Sequence, residues 1–309
     1  MSKIIFIVGP TASGKTEVSF LLAKRLKAEI ISADSMAIYK EANILTSKPP
    51  QHMLNEIPHH LVGSVSVHES YNVYDYFIYA KNLLIDLHKK NIPLIVCGGS
   101  GLYVNTLLNG IFEGAGKDEK FRNQLIERAK KNGNAPLYKE LETLDPETAK
   151  KLSPNDLNRI IRALEVYKLT GTKISTKQKQ GNGVYGKFPI KIFGLRLNRD
   201  LLYQRINERV DEMFIDGAID EVKKLISLNL SHTAKKIIGV TEIKSFLQGN
   251  ISILEAKENI KKITRNFAKR QLTWFNKDSR IEWIDIDNVC STQICDIIVN
   301  KKKSNEIYD

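Results

Sequence analysis

No stretch of the chain approaches the roughly 18 consecutive apolar residues that a membrane helix needs. The opening MSKIIFIVGP has too short an apolar segment, and no small-residue cleavage site, to act as a signal peptide. No membrane association is expected, and the expected location is cytoplasmic. Cysteine is scarce: Cys97, Cys290 and Cys295 form no CxxC pair and are odd in number. That excludes a disulfide framework or a thiolate zinc site and leaves structural thiols. Internal repeats and long low-complexity segments are also absent, so a repeat architecture is set aside.

What is present suits an ordinary globular protein. With 309 residues, 42% of them hydrophobic and 27% charged, the chain can bury a full core as one large domain or as a core with a smaller lobe. Lys and Arg outnumber Asp and Glu by 47 to 35, a net charge of +12. Such an excess concentrates a polyanion near the surface and speeds its encounter, which makes nucleic acid a candidate partner; a basic surface also serves solubility alone.

Residues Lys3 to Val8 form a short β-branched run, Gly9 to Thr16 is glycine-rich, and Glu17 to Lys27 carries Val18, Leu21, Leu22 and Leu26 at helical spacing. Further strands are predicted at Glu29 to Ala33 and Pro93 to Cys97, the latter after a helix holding Tyr79, Leu83, Leu84 and Leu87. Strands alternating with helices predict an α/β fold: a P-loop NTPase-like parallel sheet flanked by helices, with its loops gathered at the carboxyl edge. From Gly114 to Lys187 strand-like runs give way to helical patterns, closing on a polar segment with Lys177, Lys179, Gly181, Gly183 and Gly186. The expected organisation is therefore a core over 1–113, an inserted helical lobe over 114–187, and the rest of the core with basic C-terminal helices over 188–309. The second core part opens with a strand at Ile190 to Leu195 and one long amphipathic helix from Arg199 to about Leu230. A last helix, Ile253 to about Phe275, sets Lys261, Arg265 and Lys269 four residues apart as a basic stripe. The tail Lys301 to Lys303 reads as disordered or loosely attracted to polyanions.

The octet Gly9-Pro10-Thr11-Ala12-Ser13-Gly14-Lys15-Thr16 matches the phosphate-loop pattern G-x4-G-K-T and stands between a hydrophobic strand and a helix start. In that pattern backbone N–H groups cradle a diphosphate at the helix N-terminus, Lys15 gives a point charge to the outer phosphate, and the Thr16 hydroxyl is offered to Mg²⁺. The loop does not say what the phosphate is attached to. Motor-type NTPases hold Mg²⁺ with an Asp ending a second strand, but Leu94 to Cys97 runs into Gly98-Gly99-Ser100-Gly101. The strand that does end in an acid is Ile30 to Ala33, which delivers Asp34 to the carboxyl edge. Asp34 there can bind Mg²⁺, act as a general base, or, with Ser35, cap a helix; residue chemistry alone leaves all three open.

Seven blocks, in order, resemble the tRNA dimethylallyltransferases (isopentenyltransferases): GPTASGKT at 9–16, SADSMAIYK at 32–40, HHL at 59–61, ESY at 69–71, CGGSGLY at 97–103, LSPNDLNRIIRALEVYKLTG at 152–171 and KRQLTWF at 269–275. The resemblance implies transfer of a dimethylallyl group from dimethylallyl diphosphate to N6 of adenine 37 in tRNAs that read codons beginning with U. It implies Mg²⁺ as cofactor and the anticodon stem-loop as partner, and a monomer is expected. The phosphate loop, Gly9 to Thr16, then holds the donor's diphosphate. Asp34 accepts the amine proton, and Thr11 lies near the diphosphate bridge oxygen. Lys15, Mg²⁺ and an arginine stabilise the leaving group; that arginine is taken as Arg209, with Arg270 in reserve. The tRNA contacts implied are Asp34, Ser35, Met36, Ala37, Ser100, Arg122, Asn158, Arg159, Ile160, Ile161 and Arg162, the last four spanning two arginines three residues apart on one helix face. Reaching the adenine requires flipping it out of its stack, so donor and acceptor are expected to enter one channel from two sides.

The chain departs from the family pattern in places. Ala37 stands where glutamine is common, Leu45 and Ser47 fall in a stretch usually reading I-G-T-A-K-P, Gly63 replaces a frequent aspartate, and Val240 replaces a usual tyrosine, a possible lost stacking surface. No C-terminal Cys/His pattern suggests a zinc finger. His59 and His60 point to opposite sides of a strand without ligand-spaced partners, so metal binding is not expected there. The group Tyr71, Tyr74, Tyr76, Phe77 and Tyr79 reads as packing rather than a base-stacking platform. The rival readings are a small-molecule kinase using ATP, an enzyme prenylating free adenine nucleotides, and a non-catalytic basic RNA-binding protein.

Overall fold

The computed structural model describes residues 4–111, 116–178 and 181–304. Lys3, Gly114 with the expected boundary at 113/114, and Lys179 lie outside the described residues. The chain forms two compact units, Met1–Leu108 with Val184–Asp309, and Asn109–Gly183.

The larger unit is built on six strands: β1 Ile4–Val8, β2 Glu29–Ser32, β3 His59–His60, β4 Leu94–Gly98, β5 Ile190–Arg196 and β6 Ile281–Asp285. They lie in the order β3-β2-β4-β1-β5-β6 with every neighbouring pair parallel. The β1 run is apolar throughout because both of its faces are covered. Ile4, Phe6 and Val8 join one core with Tyr76, Leu84 and Leu107, while Ile5 and Ile7 join another with Val18, Leu22 and Ile298. Register brings Val8, Ser32 and Gly98 to one edge, since Val8 pairs with Gly98 and Ser32 with Cys97. The loops that follow β1, β2 and β4 therefore converge.

Three elements differ from the sequence expectation. The single helix expected from Arg199 to Leu230 is two, Arg199–Ile215 and Ala218–Ser227. The break falls at Gly217, whose φ of 102° leaves the helical region and is open to glycine without strain. Strand β6 was not anticipated: IEWID is short, and only its Ile281 and Ile284 are buried. The lysine tail is not disordered: helix Ser291–Ser304 runs through it, and Lys301 lies 3.8 Å from Glu282. No helix among the described residues is long and apolar enough to cross a membrane.

The smaller unit is helical, with Leu125, Leu137, Leu141, Ile160 and Leu164 in its core. Its polar centre is Glu165, on helix Leu157–Thr170, with a fully buried side chain. Arg122 grips it with two bonds (2.7 and 2.8 Å), Arg162 adds a third at 2.6 Å, and the Asp118 amide donates at 2.9 Å. Burial opposes ionisation, but the two guanidiniums and the amide outweigh it and hold the carboxyl at about 2. A depressed carboxyl contributes stability above its ordinary value of 4.5 and loses it as pH falls toward 2. Urea unfolding followed by circular dichroism is expected to show wild type more stable than Glu165→Gln at neutral pH, with the gap narrowing across that acid window.

Candidate active site

At the convergent edge the phosphate loop takes the shape its sequence predicts. Gly9 has φ 147°, and a Cβ there would meet the Leu195 carbonyl oxygen at 2.5 Å; Gly14, at φ 74°, caps helix Lys15–Leu26. Ser13 is buried and its Oγ donates to the Pro10 carbonyl at 2.8 Å. Lys15 Nζ folds onto the same carbonyl at 2.5 Å. Thr16 is exposed on the first helical turn.

The loops after β2 and β4 press against one another. A Cβ on Gly98 would lie 2.2 Å from the Ala33 carbonyl oxygen, so only glycine fits. Ser100 Oγ accepts from the Ser35 amide at 3.0 Å and donates to Ser35 Oγ at 3.1 Å. Asp34 Oδ1 accepts from the amides of Met36 (2.8 Å) and Ala37 (3.2 Å). The carboxylate thus caps a turn, not a helix, and its Oδ2 has no hydrogen-bond partner among the described residues.

Helix Arg199–Ile215 brings Arg209 to the phosphate loop, where NH1 donates to Thr11 Oγ1 at 3.2 Å. Because Thr11 Oγ1 accepts there, its own proton is free to be donated elsewhere. Burial pulls Arg209 below its ordinary value, with Asp34 and Glu212 opposing, yet a guanidinium stays charged. Burial also lowers Lys15 to about 8, Arg209 adding to the shift and Asp34 opposing it. Around the site Lys15, Lys48, Arg209, Lys236 and Arg270 outnumber Glu17, Asp34 and Glu212, an excess of cations that favours an anion.

These groups line one cavity of 950 Å³ that holds Thr11 to Thr16, Asp34 to Ala37, Gly98, Gly99, Arg209 and the reserve candidate Arg270. Its lining also includes the apolar residues Ile206, Val210, Met213, Ile260, Ile263 and Phe267. Ala37 is buried but faces this space, so its neighbour meets backbone and one methyl.

The residues named from the smaller unit fare differently. Ile160 and Ile161 are 0% and 5% exposed and belong to its core, which removes them as tRNA contacts. Arg122 and Arg162 are spent on Glu165. Asn158 is exposed, as is Arg159, which is tied to Asp156 at 3.2 Å. The basic stripe is also mostly inward. Lys261 pairs with Asp211 at 3.0 Å and Arg265 donates to Asn207 at 2.6 Å, both toward helix Arg199–Ile215, leaving Lys269 in solvent. Val240 is buried, so its side chain packs in the core and leaves no exposed stacking position unfilled. His60 binds Glu29 at 2.6 Å and His59 the Ile57 carbonyl at 2.7 Å. Among the described residues no group of three His, Cys, Asp or Glu side chains is gathered to hold a metal. Tyr76 is buried and stacks on Tyr103 at 4.1 Å, whereas Tyr74 and Tyr79 are exposed.

Sequence reasoning missed two residues that shape the site. Gln271, on helix Ile253–Phe275, accepts from the Thr11 amide at 2.8 Å and donates to the Gly99 carbonyl at 2.9 Å, joining the loops after β1 and β4. Its only signal was its place in the KRQLTWF block. Glu221 accepts from three successive amides, Asn43, Ile44 and Leu45; nothing local marked it.

A glycine loop between a buried parallel strand and a helix, with Lys15 and Arg209 at the cavity it lines, defines a P-loop protein. The family model described as IPP transferase matches residues 37–278. The chain belongs to the IPP transferase family. It is 42% identical to the tRNA dimethylallyltransferase of Natranaerobius thermophilus, covering 96% of this chain and 90% of that one. It is 41% identical to the tRNA dimethylallyltransferase 2 of Geotalea uraniireducens, covering 96% of each. Among solved structures, the tRNA isopentenylpyrophosphate transferase of Bacillus halodurans aligns over the full length of both chains with a TM-score of 0.71 and 35% identity. A eukaryotic dimethylallyltransferase acting on tRNA aligns at 0.83 and 29% identity, covering 99% of this chain and 80% of that one.

The lowered Lys15 gives the site a pH signature. Above about 8 the free site loses its ammonium, so an anion must bind together with a proton. Calorimetric titration with sulfate, which stays fully ionised across this range, is expected to show affinity falling as pH rises past about 8. Lys15→Arg, charged throughout, is expected to flatten that dependence.

Proposed function

We propose that this chain transfers the dimethylallyl group of dimethylallyl diphosphate to N6 of adenine 37 in tRNAs that read codons beginning with U, releasing diphosphate. The observation that carries this reading is one cavity holding an anion cradle, an apolar wall and a carboxylate with a free oxygen. The diphosphate lies on the amides of the phosphate loop, against Lys15 and Arg209. The five-carbon chain lies against Val210, Met213 and Phe267. An adenine flipped from its stack enters past Ser35, Met36 and Ser100.

The exocyclic amine is a weak nucleophile because its lone pair is delocalised into the ring. Asp34 Oδ2 accepts a proton from N6 as the N6–C1 bond forms and the C1–O bond of the donor breaks. The leaving oxygen carries the bonding electrons away. Thr11 donates its hydroxyl proton toward that oxygen, while Arg209 and Lys15 take up the charge. Thr16 lines the cavity and offers one hard oxygen, a donor that fits Mg²⁺ when diphosphate oxygens complete the shell. Such an ion would neutralise the departing diphosphate. Exposed Asn158 and Arg159 are suited to the tRNA backbone. The protein acts as a cytoplasmic monomer.

The kinase reading is served less well, because the relatives that the chain matches are tRNA dimethylallyltransferases. Incubating the protein and Mg²⁺ with unmodified tRNA and either dimethylallyl diphosphate or ATP, followed by nucleoside mass spectrometry, separates the two. A dimethylallyl mass gain on adenosine with the diphosphate donor alone is expected; ATP turnover without it would favour the kinase. Asp34→Asn keeps the acceptor that holds the Met36 and Ala37 amides. It is expected to lower turnover by about 10²- to 10⁴-fold while tRNA affinity stays within about tenfold. A matching loss of tRNA affinity would make Asp34 an anchor rather than a base.

A further inference from the structure

Arg209 enters the cavity on a long flexible stem, and its guanidinium makes two side-chain bonds: NH1 to Thr11 Oγ1 at 3.2 Å and Nε to Ser47 Oγ at 2.8 Å. Thr11 belongs to the phosphate loop. Ser47 lies in a separate segment, on left-handed backbone at φ 47°, and the bond it accepts is the shorter of the two. Together they define the plane of the guanidinium, because Nε–H and NH1 point in fixed directions from one rigid fork.

The segment that presents Ser47 is itself set by one carboxylate. Glu221, on helix Ala218–Ser227 and nearly buried, accepts from the amides of Asn43, Ile44 and Leu45 at 2.7, 2.8 and 2.9 Å. The carbonyls of Asn43 and Ile44 then accept from the amides of Lys48 and Ser47 at 3.1 and 3.0 Å. A continuous chain of bonds thus runs from Glu221 to Ser47 Oγ and on to Arg209. A donor that meets developing charge is effective when its direction is fixed beforehand, since no reorganisation is then needed.

We propose that Ser47 is a positioning residue that fixes the plane of Arg209 toward the diphosphate, with Glu221 setting the segment that presents it; this rests on the diphosphate reading of the cavity. Ser47 touches no reacting atom and acts only through Arg209. The test is a double-mutant cycle over wild type, Ser47→Ala, Arg209→Ala and the double variant, with Ser47→Thr as rescue. Single-turnover transfer and inorganic pyrophosphate affinity are both measured. Ser47→Ala is expected to slow transfer about tenfold and weaken pyrophosphate binding, with tRNA affinity and the melting temperature unchanged. Ser47→Thr is expected to recover most of the loss, and Ser47→Ala to cost less than about twofold in the Arg209→Ala background. An undiminished penalty in that background, or wild-type behaviour of Ser47→Ala, would overturn the proposal. A wild-type protein that fails to transfer overturns the functional reading instead, and the pyrophosphate cycle still decides the role of Ser47. Glu221→Gln is expected to follow Ser47→Ala with a lowered melting temperature; should it not fold, the Ser47 variants carry the test.

Discussion

Backbone contact at the carboxyl edge of the sheet is the constraint on which the site depends. Past the ends of β1 and β4 several positions leave no room for a Cβ, against neighbouring backbone or against side chains of helix Ile253–Phe275. A Cβ on Gly98 would strike the Ala33 carbonyl, one on Gly99 the Gln271 amide at 2.2 Å, and one on Gly101 the Trp274 ring at 2.3 Å. Gly9 is held in the same way against Leu195. With no side chains to spread them, the phosphate loop, the Asp34 turn and the Ser100 loop share one small space, and Gln271 ties two of them with a single amide. Close approach at the edge of a parallel sheet is how such folds turn converging loops into a site.

The electrostatics follow from that crowding. Lys15 and Arg209 are brought to one cavity, with Asp34 acting on both and Glu212 on Arg209, and each is pushed below its ordinary value, chiefly by burial. In the proposed reaction a bound diphosphate would relieve the imbalance and a departing one would relieve it further, so the arrangement would favour the charge that grows during transfer. The apolar residues of the lining, Val210, Met213 and Phe267 among them, would take the apolar part of the donor in that reaction. In the helical unit the same chemistry is used for the opposite end. There Glu165 is matched by Arg122 and Arg162, and the cluster holds a fold together rather than waiting for a ligand.

Much of this was legible before any coordinates. The phosphate loop, the strands at β1, β2, β4 and β5, and the helical character of the middle segment rest on patterns spanning fewer than about a dozen residues, which local sterics and burial translate directly into backbone. The errors arose where a pattern was right but its environment was not visible. Helical spacing placed Arg159 and Arg162 on one face without revealing that Arg162 meets Glu165, the carboxylate that also holds Arg122, a residue named from the resemblance alone. It placed Lys261 and Arg265 in a stripe without revealing the helix they meet. Ile160 and Ile161, carried over with their motif, prove to be the core against which the motif's polar residues stand.

Sequence alone therefore determined the chemistry of the cradle and the family of the chain, because glycine torsions, a lysine and a hydroxyl at set offsets act within a single turn of backbone. Tertiary structure decided which distant groups complete it. Of the arginines on helix Arg199–Ile215 it is Arg209 that meets Thr11, from 198 residues away, and Gln271 reaches the Thr11 amide from 260 residues away. Glu221 shapes the Ser47 segment across 176 to 178 residues. Such pairings leave no periodic trace in a chain, since they depend on how whole helices pack on the sheet rather than on the conformation of any one segment.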